Sequence, residues 1–273
     1  MRALASAGRR PLAVHVGADG LQNTKRWTDM HLYRRVLEHA GLPPGVLRLG
    51  FVEPVVEKTK QFWRHVGRLP VAPSQVSLVT AMVDNCTRPE AKMYKISEQA
   101  SRDFGMDISM ARGWVSADPW HPVTITQYWA EHDMPVRCAN GTGDCRSLFK
   151  QFANAWNMTR YFEEIQIRCL NLKEIIETEL GAQVEDLAML VVDAEGLDER
   201  ILLSLAGSSA FEPGFVMWEK GKDWRPSTAA DLLRGKGYKV GMKLGSEVNP
   251  DADAPNMIAV LGEIPEQREK EHG

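Results

Sequence analysis

The chain lacks a long hydrophobic run. Its longest stretch without a charged residue, Leu69 to Val83, is broken by Pro70 and Pro73, and a spanning helix needs about 20 apolar residues. No membrane span is expected. Positive charge is not in excess either. The chain carries 33 Lys and Arg against 36 Asp and Glu, a net charge of −3, so there is no basic footprint for a nucleic-acid partner. Cysteine is scarce, with four in 273 residues and no CxxC. That number is too small for a disulfide framework, and His or Cys partners at zinc-finger spacing are missing. We expect Cys86, Cys138, Cys145 and Cys169 to be mostly reduced, with a small loop closed between Cys138 and Cys145 in CANGTGDC as the alternative. Met1 to Arg10 has basic residues but no apolar core of a secretory signal, so a cytoplasmic protein is the default expectation. There is no GxGxxG, internal repeat or low-complexity tract. Three Asn-X-Thr triplets begin at Asn85, Asn140 and Asn157; such triplets also arise by chance.

What is present is ordinary globular composition, 44% hydrophobic and 25% charged, which argues against global disorder. Strand-like and helix-like segments alternate at both ends. Leu12 to Val16 is an apolar run ending in Gly17-Ala-Asp-Gly20, a strand entering a glycine turn. Residues 24 to 40 have helical spacing and stop at Gly41 and Pro43-Pro44. Val46 to Val52 reads as a strand, Glu57 to Val66 as a helix and Gln75 to Val83 as a third strand, with Lys92 to Ile96 pairing beside it. Leu170 to Leu180 is an amphipathic helix. Leu187 to Val192 is uninterrupted and apolar, as expected of a central strand buried on both faces. Glu199 to Leu205, Gly214 to Trp218, Thr228 to Lys236, Tyr238 to Met242 and Met257 to Leu261 continue the alternation of helix and strand.

This rhythm predicts an α/β fold with a mostly parallel sheet and helices on both faces. Residues 1–273 read as a single domain. The region 97–165 breaks the rhythm and holds Trp114, Trp120, Trp129 and Trp156. We expect it to be an insertion with short helices at 124–132 and 146–160, acting as a lid or substrate wall.

Ligands of such sheets bind beyond the carboxyl ends of the strands. Three places qualify. The Gly17 turn lets a ligand approach the backbone, and the following helix offers free N–H groups. Glu53, in Phe51-Val-Glu-Pro54, puts a carboxylate at a strand end, where it can accept ribose hydroxyls. Asp193-Ala-Glu195-Gly196 sets two carboxylates after the central strand, able to orient a substrate or act as base. A cap for the next helix is the structural alternative there. His121, in Trp120-His-Pro122, is a weaker candidate base, followed by His132. No metal cluster is evident, although Asp193 with Glu195 is one conceivable pair of ligands.

Together these pieces resemble the FkbM-type S-adenosylmethionine-dependent methyltransferases. VHVGADG is similar to that family's first-strand glycine motif and FVEP to its strand-end acid motif. LNLKEIIETEL followed by VEDLAMLVVDAEGLDERIL is similar to its helix and DxEG signature. FEPGFVMWEK resembles the next strand, ending in Glu219, and LLRGKGYKV the late helix and strand. The resemblance covers 12–95 and 168–261. It implies a class I methyltransferase (Rossmann-like) fold with a seven-stranded sheet, S-adenosyl-L-methionine as cofactor, and O-methylation of a sugar or other small-molecule or glycan acceptor. It implies catalytic roles for Asp193 and Glu195. His15, Gly17, Ala18, Asp19, Gly20, Glu53 and Asp84 would line the cofactor. His15 stands where related sequences often carry an acid, and the glycine turn is one residue tighter than the usual G-x-x-x-G. The alternatives are a methyltransferase-fold binding protein without turnover and a nicotinamide-dependent oxidoreductase.

Overall fold

A computed structural model describes residues 4, 8–18, 33–34, 37–38, 43–105, 107, 115–132, 134, 136, 138, 143–155, 157–194, 196–219, 226–242 and 256–261. In chain order the first elements are β1 (Leu12–Val16), β2 (Arg48–Val52), α1 (Val56–His65), β3 (Val76–Val79), β4 (Met82–Val83), β5 (Glu90–Ile96), α2 (Glu98–Phe104), α3 (His121–Glu131) and α4 (Arg146–Ala153). There follow β6 (Phe162–Leu170), α5 (Leu172–Glu174, running on as a π turn over Ile175–Glu179), β7 (Leu187–Val192), α6 (Asp198–Ala206), β8 (Phe215–Glu219), α7 (Thr228–Gly235), β9 (Tyr238–Met242) and β10 (Asn256–Leu261). The chain divides into two compact units, one made of Met1–Asn85 with Leu170–Gly273, the other of Cys86–Cys169.

The first unit is built on a seven-stranded sheet in the order β3-β2-β1-β7-β8-β10-β9. The first five strands of that order pair in parallel. β10 runs antiparallel to both of its neighbours, β8 and β9. All six residues of β7 are buried, as its apolar run requires of a strand covered on both faces. Alternation sends Val14, Val16, Leu190 and Val192 to one side, where they pack with Ile201 and Leu205 of α6 and Leu233 of α7. Ala13, Met189 and Val191 face the other side, with Phe62 of α1 and with Tyr33 and Leu37. Tyr33 and Leu37 lie one helical turn apart, both are helical, and both are buried. Helices therefore cover both faces.

Caps explain where two of these helices start. The Asn171 side chain accepts from the Glu174 N–H at 2.8 Å, and Ser227 accepts from Ala230 at 3.1 Å. Each satisfies one of the free donors of a first turn. α5 differs from the expected regular helix by widening into its π turn, which keeps Ile175 and Ile176 buried side by side.

The second unit has its own core. β5 and β6 form an antiparallel pair from Glu90↔Arg168 to Ile96↔Phe162. Their outer positions carry opposite charges, with Lys92 on Glu164 and Lys95 on Glu163. Ala100, Ala130, Phe149, Phe152 and Tyr161 come together as a separate apolar cluster. Phe104, Phe152 and Tyr161 meet edge to face at 5.3–5.7 Å between centroids, a favoured aromatic geometry.

Four expectations change. β5 pairs with β6, not with the third strand, because Ile165, Ile167 and Cys169 alternate with polar residues and give β6 one apolar face. The third strand is split into β3 and β4. The segment 146–160 is helical only to Ala153 and then makes a short 3-10 turn, Met158–Tyr161. Finally, the cysteines are not reduced thiols. Cys86 pairs with Cys169, and Cys138 with Cys145, at Cα separations of 5.7 and 5.1 Å. The first bridge joins the first and last residues of the second unit, so that unit begins at 86 and ends at 169, wider than 97–165. Disulfides persist mainly in oxidising compartments.

Candidate functional site

The register of the parallel strands sets the site. Val52, Val16, Val192 and Trp218 lie in one row across β2, β1, β7 and β8. The next residue of each strand therefore emerges at the same carboxyl edge, as Glu53, Gly17, Asp193 and Glu219. With parallel strands about 4.8 Å apart, these four positions span roughly 14 Å. Backbone bonds lock the edge. Gly17 and Ala18 both donate to the Val52 carbonyl, at 2.9 and 3.3 Å, and Asp193 donates to the Val16 carbonyl at 3.0 Å.

Gly17 has φ +84°, and a Cβ placed on it would lie 1.7 Å from the Asp193 carbonyl oxygen. Its missing side chain therefore makes room for the neighbouring strand's exit. Ala18 is buried beside it. Glu53 is 4% exposed, and one carboxylate oxygen accepts from its own downstream Val55 N–H at 2.9 Å. Asp193 is exposed.

His15 is placed elsewhere. It points from β1 into the core beside Phe51, 2% exposed, with Nδ1 2.7 Å from the Tyr33 hydroxyl. Asp84 is ion-paired with Arg200 and also accepts from the Asn85 N–H at 2.7 Å. His121 and His132 belong to the second unit, where they bound α3. Asp19, Gly20 and Glu195 lie outside the described residues.

One acid was missed. Asp198 is 2% exposed, and its carboxylate accepts three backbone N–H groups. Oδ1 takes Ala194 at 3.2 Å and Glu219 at 3.3 Å, while Oδ2 takes Gly196 at 3.2 Å. It therefore ties the Asp193–Gly196 turn to the end of β8. Burial pushes its carboxyl up to about 6, although the three N–H groups pull the other way. The available signal was an acid two residues past Gly196, at the start of a helix. A cap for this helix is the alternative reading of Asp193 and Glu195; the helix instead starts from Leu197 without a side-chain cap, and Asp198 closes the turn before it.

Asp193, Asp198 and Glu219 each bring one carboxylate oxygen within 4.8 Å of the others. Both oxygens of Asp198 are already committed to backbone donors. The edge is thus acidic and suited to a ligand that carries positive charge and hydroxyl groups. Comparison with family models, with curated proteins and with solved structures finds no match.

Proposed function

We propose that the chain is an S-adenosylmethionine-dependent methyltransferase acting on a hydroxyl of a sugar or other small metabolite. The observation that carries this reading is the single edge row of Glu53, Gly17, Asp193 and Glu219. Its composition fits the cofactor, which joins a ribose to a cationic sulfur and an ammonium group. A strand-end carboxylate can accept ribose hydroxyls, and two more carboxylates favour the nearby cationic groups. The sheet order supports the same reading. A dinucleotide fold continues with a sixth parallel strand, whereas here the antiparallel β10 occupies that place, which counts against the nicotinamide alternative.

When bound, the cofactor supplies an electrophilic methyl group. The chain's own residues do the remaining work. Glu53 holds hydroxyls at the β2 end. Asp193, exposed at the edge, orients the acceptor hydroxyl and takes its proton as the new bond forms. Asp198 fixes the turn that carries Asp193, and such positioning is a large part of what a transfer between two bound partners needs.

Calorimetry with S-adenosylhomocysteine, with NAD as control, tests the proposal. One-to-one binding of S-adenosylhomocysteine alone is expected, followed by methyl transfer in a panel of hydroxylated acceptors. Absence of S-adenosylhomocysteine binding overturns the reading, and binding of NAD alone transfers the edge to nicotinamide chemistry.

A further inference from the structure

The three Asn-X-Thr triplets play no part in the edge chemistry, and the disulfides change their standing. All four cysteines are paired. Two bridges in one chain are the mark of folding in an oxidising compartment, because cytosolic reductants keep thiols free. In a cell with a secretory pathway, that compartment also transfers oligosaccharides to asparagine in Asn-X-Thr, where X is not proline.

The triplets are not equivalent. Asn85-Cys86-Thr87 lies on a surface run in which Asn85, Thr87, Arg88, Pro89 and Glu90 are all exposed. The Asn85 backbone N–H is held by the Asp84 carboxylate, and its side-chain amide makes no hydrogen bond among the described residues. Asn157 is half-buried, directly before buried Met158, and its carbonyl accepts from Arg160 at 3.0 Å. Asn140 lies outside the described residues.

We infer that Asn85 is an N-glycosylation site, and that the chain matures in an oxidising, glycosylating compartment. The donor is an oligosaccharide on a polyprenyl pyrophosphate. Its C1–O bond to pyrophosphate breaks and a C1–N bond to Asn85 Nδ2 forms. Nδ2 gives up one proton, polyprenyl pyrophosphate leaves, and no atom changes oxidation state. The glycan stands immediately before Cys86, whose bridge to Cys169 closes the second unit.

The test expresses the full chain behind a cleavable secretory leader in a eukaryotic cell and reads both lysate and medium. Peptide-N-glycosidase should remove a mobility step that Asn85→Gln and Thr87→Ala each abolish. Thr87→Ser, which keeps the triplet, and Asn157→Gln should retain it. Because transfer occurs on the translocated chain, the readout does not depend on a variant reaching its final fold. Alkylation of the denatured wild-type chain should label no thiol before reduction and four after it. A translocated chain without glycan at Asn85, or with glycan only at Asn140 or Asn157, overturns the assignment. Thiols that label without reductant overturn the compartment on which it stands.

Discussion

All six residues of β7 are buried, whereas along β6 only Ile167, Cys169 and Leu170 leave solvent. The contrast extends to the two compact units that hold these strands. In the first, a sheet covered on both faces buries apolar side chains along every central strand, and no disulfide is present among the described residues. The second spans only residues 86–169, has a charged, partly exposed pair of strands, and carries both bridges. Small domains bury too little surface to offset chain entropy easily, and a cross-link offsets part of that cost by restricting the unfolded chain. Where burial is thin, covalent closure takes over.

The largest effect should come from opening the Cys86–Cys169 bridge. It closes a loop of 83 residues, so the double substitution Cys86→Ser with Cys169→Ser should cost about 4–5 kcal/mol in the second unit. Cys138→Ser with Cys145→Ser opens a separation of only 7 and should cost about 2 kcal/mol. Amide hydrogen exchange reads the two units separately. Protection should fall in α2, α4 and β5 while β1 and β7 keep theirs. Equal loss in both units would break the contrast.

The matching lesion in the first unit is Gly17→Ala. The new Cβ collides with the Asp193 backbone, and the residue must also hold a positive φ. The expected loss is about 3–4 kcal/mol of stability, because backbone cannot swing aside as a long side chain can. A stable Gly17→Ala protein in denaturant titration would show that β1 and β7 are less rigidly joined at their ends than the geometry indicates.

Asp198 gives a pH signature of similar size. Its folded pKa of about 6 exceeds the ordinary value of 3.8. Between these values the native state holds a proton that the unfolded chain releases, so stability falls as pH rises from about 4 to about 6. The integrated change is about 3 kcal/mol. Asp198→Asn should flatten that slope in urea unfolding followed against pH. It should also destabilise the protein overall, since the new amide sets a donor against a backbone N–H that the carboxylate satisfied. An unchanged slope would place the titration elsewhere.

The legibility of the sequence follows the same division. β1, β7 and β9 match the predicted strands residue for residue, β1 and β7 because each is a nearly unbroken apolar run and β9 because it follows the helix stop at Gly237. The three edge turns were found by the rule that ligands gather at carboxyl ends. Their detailed roles were not. Gly17 serves backbone packing, and Asp198 serves the turn, because both depend on what the neighbouring strand does, which spacing along one strand does not record. The second unit was least legible. β6 alternates Ile165, Ile167 and Cys169 with Glu164, Gln166 and Arg168, the period of a half-buried strand, but it follows helical spacing at 146–153 and begins inside the stretch read as an insertion of short helices. The pairing of Cys86 with Cys169 joins residues far apart in sequence.

The smallest expected effect separates fold from function within the first unit. Glu53→Gln keeps an oxygen for the Val55 N–H and nearly the same volume, but removes the charge. If Glu53 holds ribose hydroxyls, a neutral amide is a weaker acceptor and sets one donor against them. Affinity for S-adenosylhomocysteine should fall by about 1–3 kcal/mol, roughly 5- to 150-fold, while the thermal midpoint stays near that of the wild type. Gly17→Ala would lower both together, because it deforms the edge itself. Loss of affinity without loss of stability therefore identifies Glu53 as a ligand contact. Unchanged affinity would leave its carboxylate with the structural role already visible, that of closing the turn after β2.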